Sequence, residues 1–317
     1  MPVAPRLLPL VEETRAFYAT RVAGRGPSSW AELQALRAAV SPPPGQVEVV
    51  SGVPLRIHRP DGAPRGVLLE LHGGGFYLGS TSAGDARNRA LADALSVVVV
   101  SVDYRLAPEH PWPAAPDDCE TAALWLVSEA RALFGTGVLA VIGFSAGATL
   151  AMTTLLRLRD RGLSFGPAVL QFGTYDLSGS TPAGRLIADE YFLEAYLGST
   201  PDRTVPDISP VFADLTGLPP VLMVVGEDDV LLPDNQAMAA RLAAAGVDVD
   251  LRVYPASPHG FTGHPTLMAE AARADIETWL GDHLGNEVDT PIRASSSPSA
   301  LSRLRGVIPH CPSHQPN

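Results

Sequence analysis

The sequence contains no lysine; all 23 of its Lys-plus-Arg positions are arginine, a bias that fits a GC-rich bacterial genome. It has only two cysteines, Cys119 and Cys311. Two thiols cannot build a disulfide framework, so nothing implies an oxidising compartment. Charged residues are scarce at 18%, which argues against general disorder. The net charge of −11 disfavours nucleic acid and anionic membranes as partners. Long apolar runs are absent too. The strongly apolar stretches, such as Val97 to Val100, are far too short to span a bilayer. At the N-terminus, Leu7, Leu8 and Leu10 are followed at once by Glu12 and Glu13, so no signal peptide is read and the default location is cytoplasmic. No internal repeat is visible. No cluster with metal-ligand spacing appears, so no metal or organic cofactor is expected.

What is present is a chain of 317 residues, 46% hydrophobic, enough for one large domain. Apolar spacing predicts helix over residues 6–40, stopped by Pro42, Pro43, Pro44 and Gly45. Residues 46–59 read as two strands around a Ser51–Gly52 turn. Short apolar or β-branched runs follow at 67–71, 97–102, 138–142, 168–172, 221–225 and 249–254. Helical patterns lie between them at 83–95, 117–133, 146–159, 234–245 and 266–284. Such alternation predicts an α/β fold with a mostly parallel sheet covered on both faces, and an antiparallel edge from the first two strands. Residues 176–215 break the rhythm and carry Tyr191, Phe192 and Tyr196. An insertion of that length reads as a lid or a pocket wall. Residues 286–317 are rich in serine and lack apolar periodicity; disorder is expected there, leaving 1–285 as a single domain.

Two motifs carry chemistry. Gly143-Phe144-Ser145-Ala146-Gly147 follows the apolar run 138–142 and precedes a helical pattern. That is the strand–turn–helix setting of a nucleophile elbow, where glycines let strand and helix backbones approach. The first amides of the helix then face developing negative charge. His72-Gly73-Gly74-Gly75-Phe76 directly follows another strand. Three consecutive glycines cost chain entropy, and unobstructed amides for a tetrahedral oxyanion are a reason to keep them. His72 reads as a support for that loop, not as a base.

A serine nucleophile needs a base and an acid, which follow such an elbow in chain order as acid, then histidine. Of the eight histidines, His58, His72 and His110 precede Ser145, and His310 and His314 sit in the tail. His259 lies in a Pro- and Gly-containing loop after the 249–254 strand, at the end of the sheet where active sites gather. His264 and His283 lie near helix ends and read as solvated or capping residues. For the acid, Asp228 and Asp229 both follow the 221–225 strand; only one can face the imidazole, and spacing does not choose between them.

Together these residues resemble the hormone-sensitive-lipase-like esterases, bacterial family IV, over roughly residues 45–284. The resemblance rests on the His72–Phe76 loop, the run Asp103-Tyr104-Arg105-Leu106-Ala107-Pro108-Glu109-His110-Pro111-Trp112-Pro113-Ala114-Ala115, the serine elbow, and His259-Gly260-Phe261. It implies an α/β-hydrolase fold with a helical cap formed by about 1–45 and 176–215. It implies Asp229 as the acid, in a Gly-x-x-Asp-x-Leu pattern, and oxyanion donors at Gly73, Gly74, Gly75 and Ala146. The Tyr104–Ala115 run is a structural hallmark, which leaves Glu109 and His110 out of the chemistry. One departure stands out: the family usually carries Asp or Thr where this chain has Phe144. The implied activity is a carboxylesterase acting on a short-chain, small-molecule acyl ester through a Ser–His–Asp triad, compatible with a homodimer. An amide-cleaving hydrolase uses the same intermediate, and a non-catalytic small-molecule receptor uses the same fold.

Overall fold

Val97–Val102 reads Val-Val-Val-Val-Ser-Val, and all six residues are buried. A strand buried on both faces needs no polar alternation, and it belongs at the centre of a parallel sheet. The computed structural model of the protein describes residues 4–21, 26–39 and 47–285. The proline stop at 42–45 and the tail from 286 onward lie outside the described residues.

In chain order the elements are α1 (Val11–Ala19), α2 (Trp30–Ala38), β1 (Glu48–Val50), β2 (Val53–His58), β3 (Gly66–Leu71), α3 (Asp85–Leu95), β4 (Val97–Val102), α4 (Ala114–Phe134), β5 (Leu139–Phe144), α5 (Ala146–Asp160), β6 (Ala168–Gln171), α6 (Tyr191–Leu197), β7 (Val221–Gly226), α7 (Leu232–Ala244), β8 (Val249–Tyr254) and α8 (Leu267–His283). The eight strands form one sheet in the order β1-β2-β4-β3-β5-β6-β7-β8. β1 and β2 pair antiparallel, β2 runs antiparallel to β4, and every other pair is parallel. The predicted antiparallel edge is therefore present.

The two-residue period of a strand sends neighbours to opposite faces. Leu69, Leu71, Val98 and Val100 join one core with α4 and α5 residues such as Leu126 and Met152. Leu68, Val97 and Val99 join the other, with Leu91 and Leu95 of α3 and Ile276, Trp279 and Leu280 of α8. Both faces are thus covered by helices, and the functional loops are left at the carboxyl ends of the strands.

The helical reading of 6–40 is corrected. A 3-10 turn, Pro5–Leu10, leads into α1, and α2 is separate. Gly26 and Pro27 lie in the break, where a helix loses both backbone restraint and a donor. Helix α4 starts three residues earlier than the apolar spacing suggests. Its Pro116 falls in the first turn, where amides have no intrahelical acceptor, so the ring costs nothing there. Helix α8 begins at a Thr266 cap whose hydroxyl accepts from the Ala269 amide at 3.1 Å. The 176–215 insertion contains no strand; it forms α6 and short 3-10 turns.

Candidate active site

Ser145 sits between β5 and α5 with φ 52° and ψ −119°, a strained conformation for a residue with a side chain. The strain is held from both sides. The Ser145 amide donates to the Gln171 carbonyl on β6 at 2.9 Å, and the Ser145 carbonyl accepts from the Ala148 amide at 2.8 Å. The glycines flanking the elbow are required by close approach. A Cβ at Gly147 would lie 2.0 Å from the Leu71 carbonyl oxygen, and one at Gly143 would lie 2.2 Å from the Gly147 carbonyl oxygen. Strand β5, helix α5 and the end of β3 therefore meet backbone to backbone.

The glycine loop leaves β3 and lies against the elbow. A Cβ on Gly73 would sit 2.8 Å from the Phe144 carbonyl oxygen and 3.3 Å from the Ser145 Cβ. Gly74 has φ +126°, which side-chain-bearing residues rarely adopt. The fold thus brings Gly73, Gly74, Gly75 and the Ala146 end of α5 to the rim of one cleft. His72 anchors the loop from below, as expected. Its Nδ1 bonds the Gly73 carbonyl at 2.8 Å, its ring stacks on Tyr104 at 4.2 Å, and the Tyr104 hydroxyl donates to its carbonyl oxygen at 2.7 Å. Burial pushes the His72 imidazole below its usual range, favouring the neutral ring. Tyr104 is one of the hallmark residues, and its task is visible here. Glu109 also has one: it pairs with Arg37 of α2 at 2.6 Å, and Arg37 further donates to the Tyr77 and Ala107 carbonyls. His110 is exposed.

His259 lies in the loop after β8, and its Nε2 is 2.9 Å from Ser145 Oγ. Its Nδ1 is 2.9 Å from Asp229 Oδ2. The second carboxylate oxygen of Asp229 accepts the Leu231 amide at 2.8 Å. The Asp229 side chain has no solvent exposure, whereas Asp228 is exposed. Ser145, His259 and Asp229, drawn from three loops, are therefore in hydrogen-bond contact, and Asp228 is not among them. The Asp228 amide instead donates to the Ser257 carbonyl at 3.0 Å, tying the acid loop to the histidine loop.

Around them is a cleft of about 1050 Å³. Its walls include Phe172, Ile187, Phe192, Leu231, Tyr18 and His264. Phe192 comes from the 176–215 insertion and Tyr18 from α1, so both segments wall the cleft. His264, read as a solvated or capping residue, is half-buried at the C-cap of the 3-10 turn Phe261–Gly263. The Tyr18 hydroxyl bonds its Nδ1 at 2.8 Å, and burial lowers its pKa. Arg87 of α3 also reaches the cleft, and the sequence offered no sign of it. A smaller cavity of about 340 Å³ lies at the opposite ends of β5 and β6, beside Leu139 and Gly166, and holds none of these residues.

Proteins similar to this chain include named ester hydrolases. A family model described as the alpha/beta hydrolase fold matches residues 68–263. The carboxylesterase NlhH of Mycobacterium tuberculosis is 35% identical over 246 residues, 71% of this chain and 76% of the relative. The ethyl acetate hydrolase of Pseudomonas putida is 35% identical over 236 residues, 69% of this chain and 74% of the relative. Among solved structures, a hormone-sensitive lipase from a metagenome library superposes with a TM-score of 0.70 at 32% identity, covering 89% of this chain and 99% of that one. The chain belongs to the hormone-sensitive-lipase-like esterases of the α/β-hydrolase fold. The esterase of Pyrobaculum calidifontis, with a TM-score of 0.72 at 31% identity over 89% of this chain and 99% of that one, is a further structural relative. Among the described residues, no helix is long and apolar enough to cross a membrane.

Proposed function

We propose that this esterase hydrolyses short-chain acyl esters of small molecules through an acyl-enzyme on Ser145, with His259 as general base and Asp229 as its orienting carboxylate. The observation that carries the reading is the pair of hydrogen bonds that His259 makes, Nε2 to Ser145 Oγ and Nδ1 to Asp229 Oδ2, each 2.9 Å. An ionised Asp229 accepts only, so the ring proton belongs on Nδ1 and the Nε2 lone pair faces the serine hydroxyl.

In the first half-reaction, Ser145 Oγ bonds to the ester carbonyl carbon and its proton passes to His259 Nε2. The carbonyl oxygen becomes an oxyanion. The amides of Gly73, Gly74, Gly75 and Ala146, on the rim beside Ser145, are the proposed donors to it. Collapse breaks the bond to the alkoxy oxygen, which leaves as the alcohol with the proton from His259. In the second half-reaction, water adds to the acyl carbon, gives its proton to His259, and the proton returns to Ser145 as the carboxylic acid departs. The buried Asp229 stabilises the imidazolium in both halves without taking the proton. The cap function proposed for the N-terminal helices and the 176–215 insertion is to close the cleft over the acyl group.

The test is Ser145→Ala assayed with 4-nitrophenyl butyrate, alongside labelling of the wild type by a fluorophosphonate. Turnover should be lost and the label should fall on Ser145. Near-normal hydrolysis by the variant, or an unlabelled serine, sinks the reading.

A further inference from the structure

Strand β3 carries a carboxylate, Glu70, with no solvent exposure at all. A charge in a central strand is costly unless fully partnered. Glu70 has three donors: Arg87 Nη2 at 2.6 Å, Asn88 Nδ2 at 3.3 Å and the Ser101 hydroxyl. Arg87 in turn occupies the first turn of α3, where the helix dipole disfavours a cation. Its guanidinium carbon lies 3.8 Å from the ring centroid of Phe144, the residue that departs from the family pattern. Glu70 and Phe144 thus fix the guanidinium between a buried anion and an aromatic face. About a third of the Arg87 side chain remains exposed, at 34%, and it faces the cleft that holds Ser145.

A guanidinium carries five N–H donors, and Glu70 is met through Nη2 alone. The Arg87 Nε is shielded from solvent and has no hydrogen-bond partner among the described residues. The other charged groups of the cleft enter from elsewhere. Glu190 stands beside Tyr77, Asp228 lies on the β7–α7 loop, and Arg21 stacks on Phe17. Arg87 is therefore the cation presented from the α3 side, next to the residue that precedes the nucleophile.

We propose that Arg87 is a specificity-determining residue that binds a carboxylate carried by the ester substrate, held in position by Glu70 and Phe144. The inference rests on ester hydrolysis at Ser145. It assigns a substrate class, esters bearing an anionic carboxylate in reach of the scissile bond, such as hemiesters of short dicarboxylic acids.

Three esters test it: neutral 4-nitrophenyl butyrate, the mono-4-nitrophenyl ester of succinic acid, with its charge on the acid half, and 4-carboxyphenyl butyrate, with its charge on the alcohol half. Arg87→Met keeps the aliphatic stem. The double variant Glu70→Gln, Arg87→Met removes both charges and leaves no unpaired carboxylate in β3; thermal melts establish that each variant is folded. In both, the kcat/KM of at least one anionic ester relative to the neutral one should fall at least about tenfold, the loss of one charge-assisted hydrogen bond. Arg87→Lys should retain part of the preference. Ratios unchanged within about twofold, or all three esters declining together, overturn the proposal. A wild type that cleaves none of the three defeats the ester-hydrolase reading itself and takes this inference with it, whereas cleavage with unaltered ratios defeats this inference alone.

Discussion

The Asp229 carboxylate meets His259 Nδ1 at 2.9 Å from a position with no solvent exposure, while its neighbour Asp228 faces water. The difference is set by the first turn after β7. The Leu231 amide grips Asp229 Oδ1 and directs Oδ2 at the imidazole. Asp229→Asn should keep the fold but present an amide where the ring needs an acceptor. We expect kcat on 4-nitrophenyl butyrate to fall about 10³–10⁴-fold, as loss of the correct tautomer does in comparable triads. Asp228→Asn should change it only severalfold. Equal damage from the two variants would show that the acid has been misassigned.

Much of this is legible in the sequence. Val97–Val102 and Val221–Gly226 are buried throughout and nearly all apolar, and they lie in the sheet interior, where a strand needs no polar face. Ser145 was legible because the elbow requires glycine at Gly143 and Gly147 and a strand-to-helix change within five residues. What stayed hidden depends on relations between distant segments. Asp228 and Asp229 differ by one residue, and only the loop's path decides which is buried. Tyr18 and His264 meet across 246 positions, and neither has a local signal. Arg87 on a helix reads as a solvated cation until Glu70, buried behind it, is seen. The start of α4 at Ala114 lies ahead of the apolar periodicity, with Pro116 in a first turn that tolerates it.

The elbow also predicts a stability effect. Gly147→Ala would place a Cβ 2.0 Å from the Leu71 carbonyl oxygen and 2.5 Å from that of His72, both rigid backbone at the root of the glycine loop. Relief requires α5 to move away from β3. Overpacking of this kind should cost about 2 kcal/mol or more, lowering Tm by roughly 4–8 °C for a domain of this size. Activity should fall by more than the folded fraction does, because the same shift moves Ser145 away from Gly73. Differential scanning calorimetry and assays on the folded protein would check both; an unchanged Tm would contradict the backbone contact.

Asp234, in the first turn of α7, predicts a pH dependence. Burial pushes its carboxyl up to about 6 from an ordinary 3.8, against the opposing amides of Tyr175 and Asp176, which donate to its Oδ2. The folded state thus holds this proton more tightly than the unfolded chain. Its stabilising contribution is full below about pH 4 and is lost as pH rises through about 6, worth up to about 3 kcal/mol. Asp234→Asn keeps an acceptor for the two amides and cannot ionise. Between about pH 4 and pH 7, the wild type should lose stability relative to this variant by that amount in urea unfolding. His58, His72 and His264 are held neutral by burial and destabilise on the acid side, but they titrate alike in both proteins and cancel in the difference. A difference that stays flat across this range would mean Asp234 is ionised in the fold throughout.

Tyr18 of α1 is tied to His264, five residues beyond His259, and both side chains face the cleft. Burial lowers the His264 pKa and favours the neutral ring, which shares a hydrogen bond with the tyrosine hydroxyl through Nδ1. The bond therefore ties α1 to the loop that carries His259. The imidazole of His259 is itself held by Asp229 and does not depend on that tie. Tyr18→Phe removes the hydroxyl and keeps the ring contacts with Phe17 and His264. The lost bond should cost about 1 kcal/mol. If α1 acts as a wall of the cleft, that loss falls on substrate binding: KM for 4-nitrophenyl butyrate should rise severalfold with kcat nearly constant, the pattern of an interaction shared by ground and transition states. A fall in kcat at unchanged KM would instead place Tyr18 in the orientation of His259, and the two constants, measured at pH 7 to 8, separate the cases.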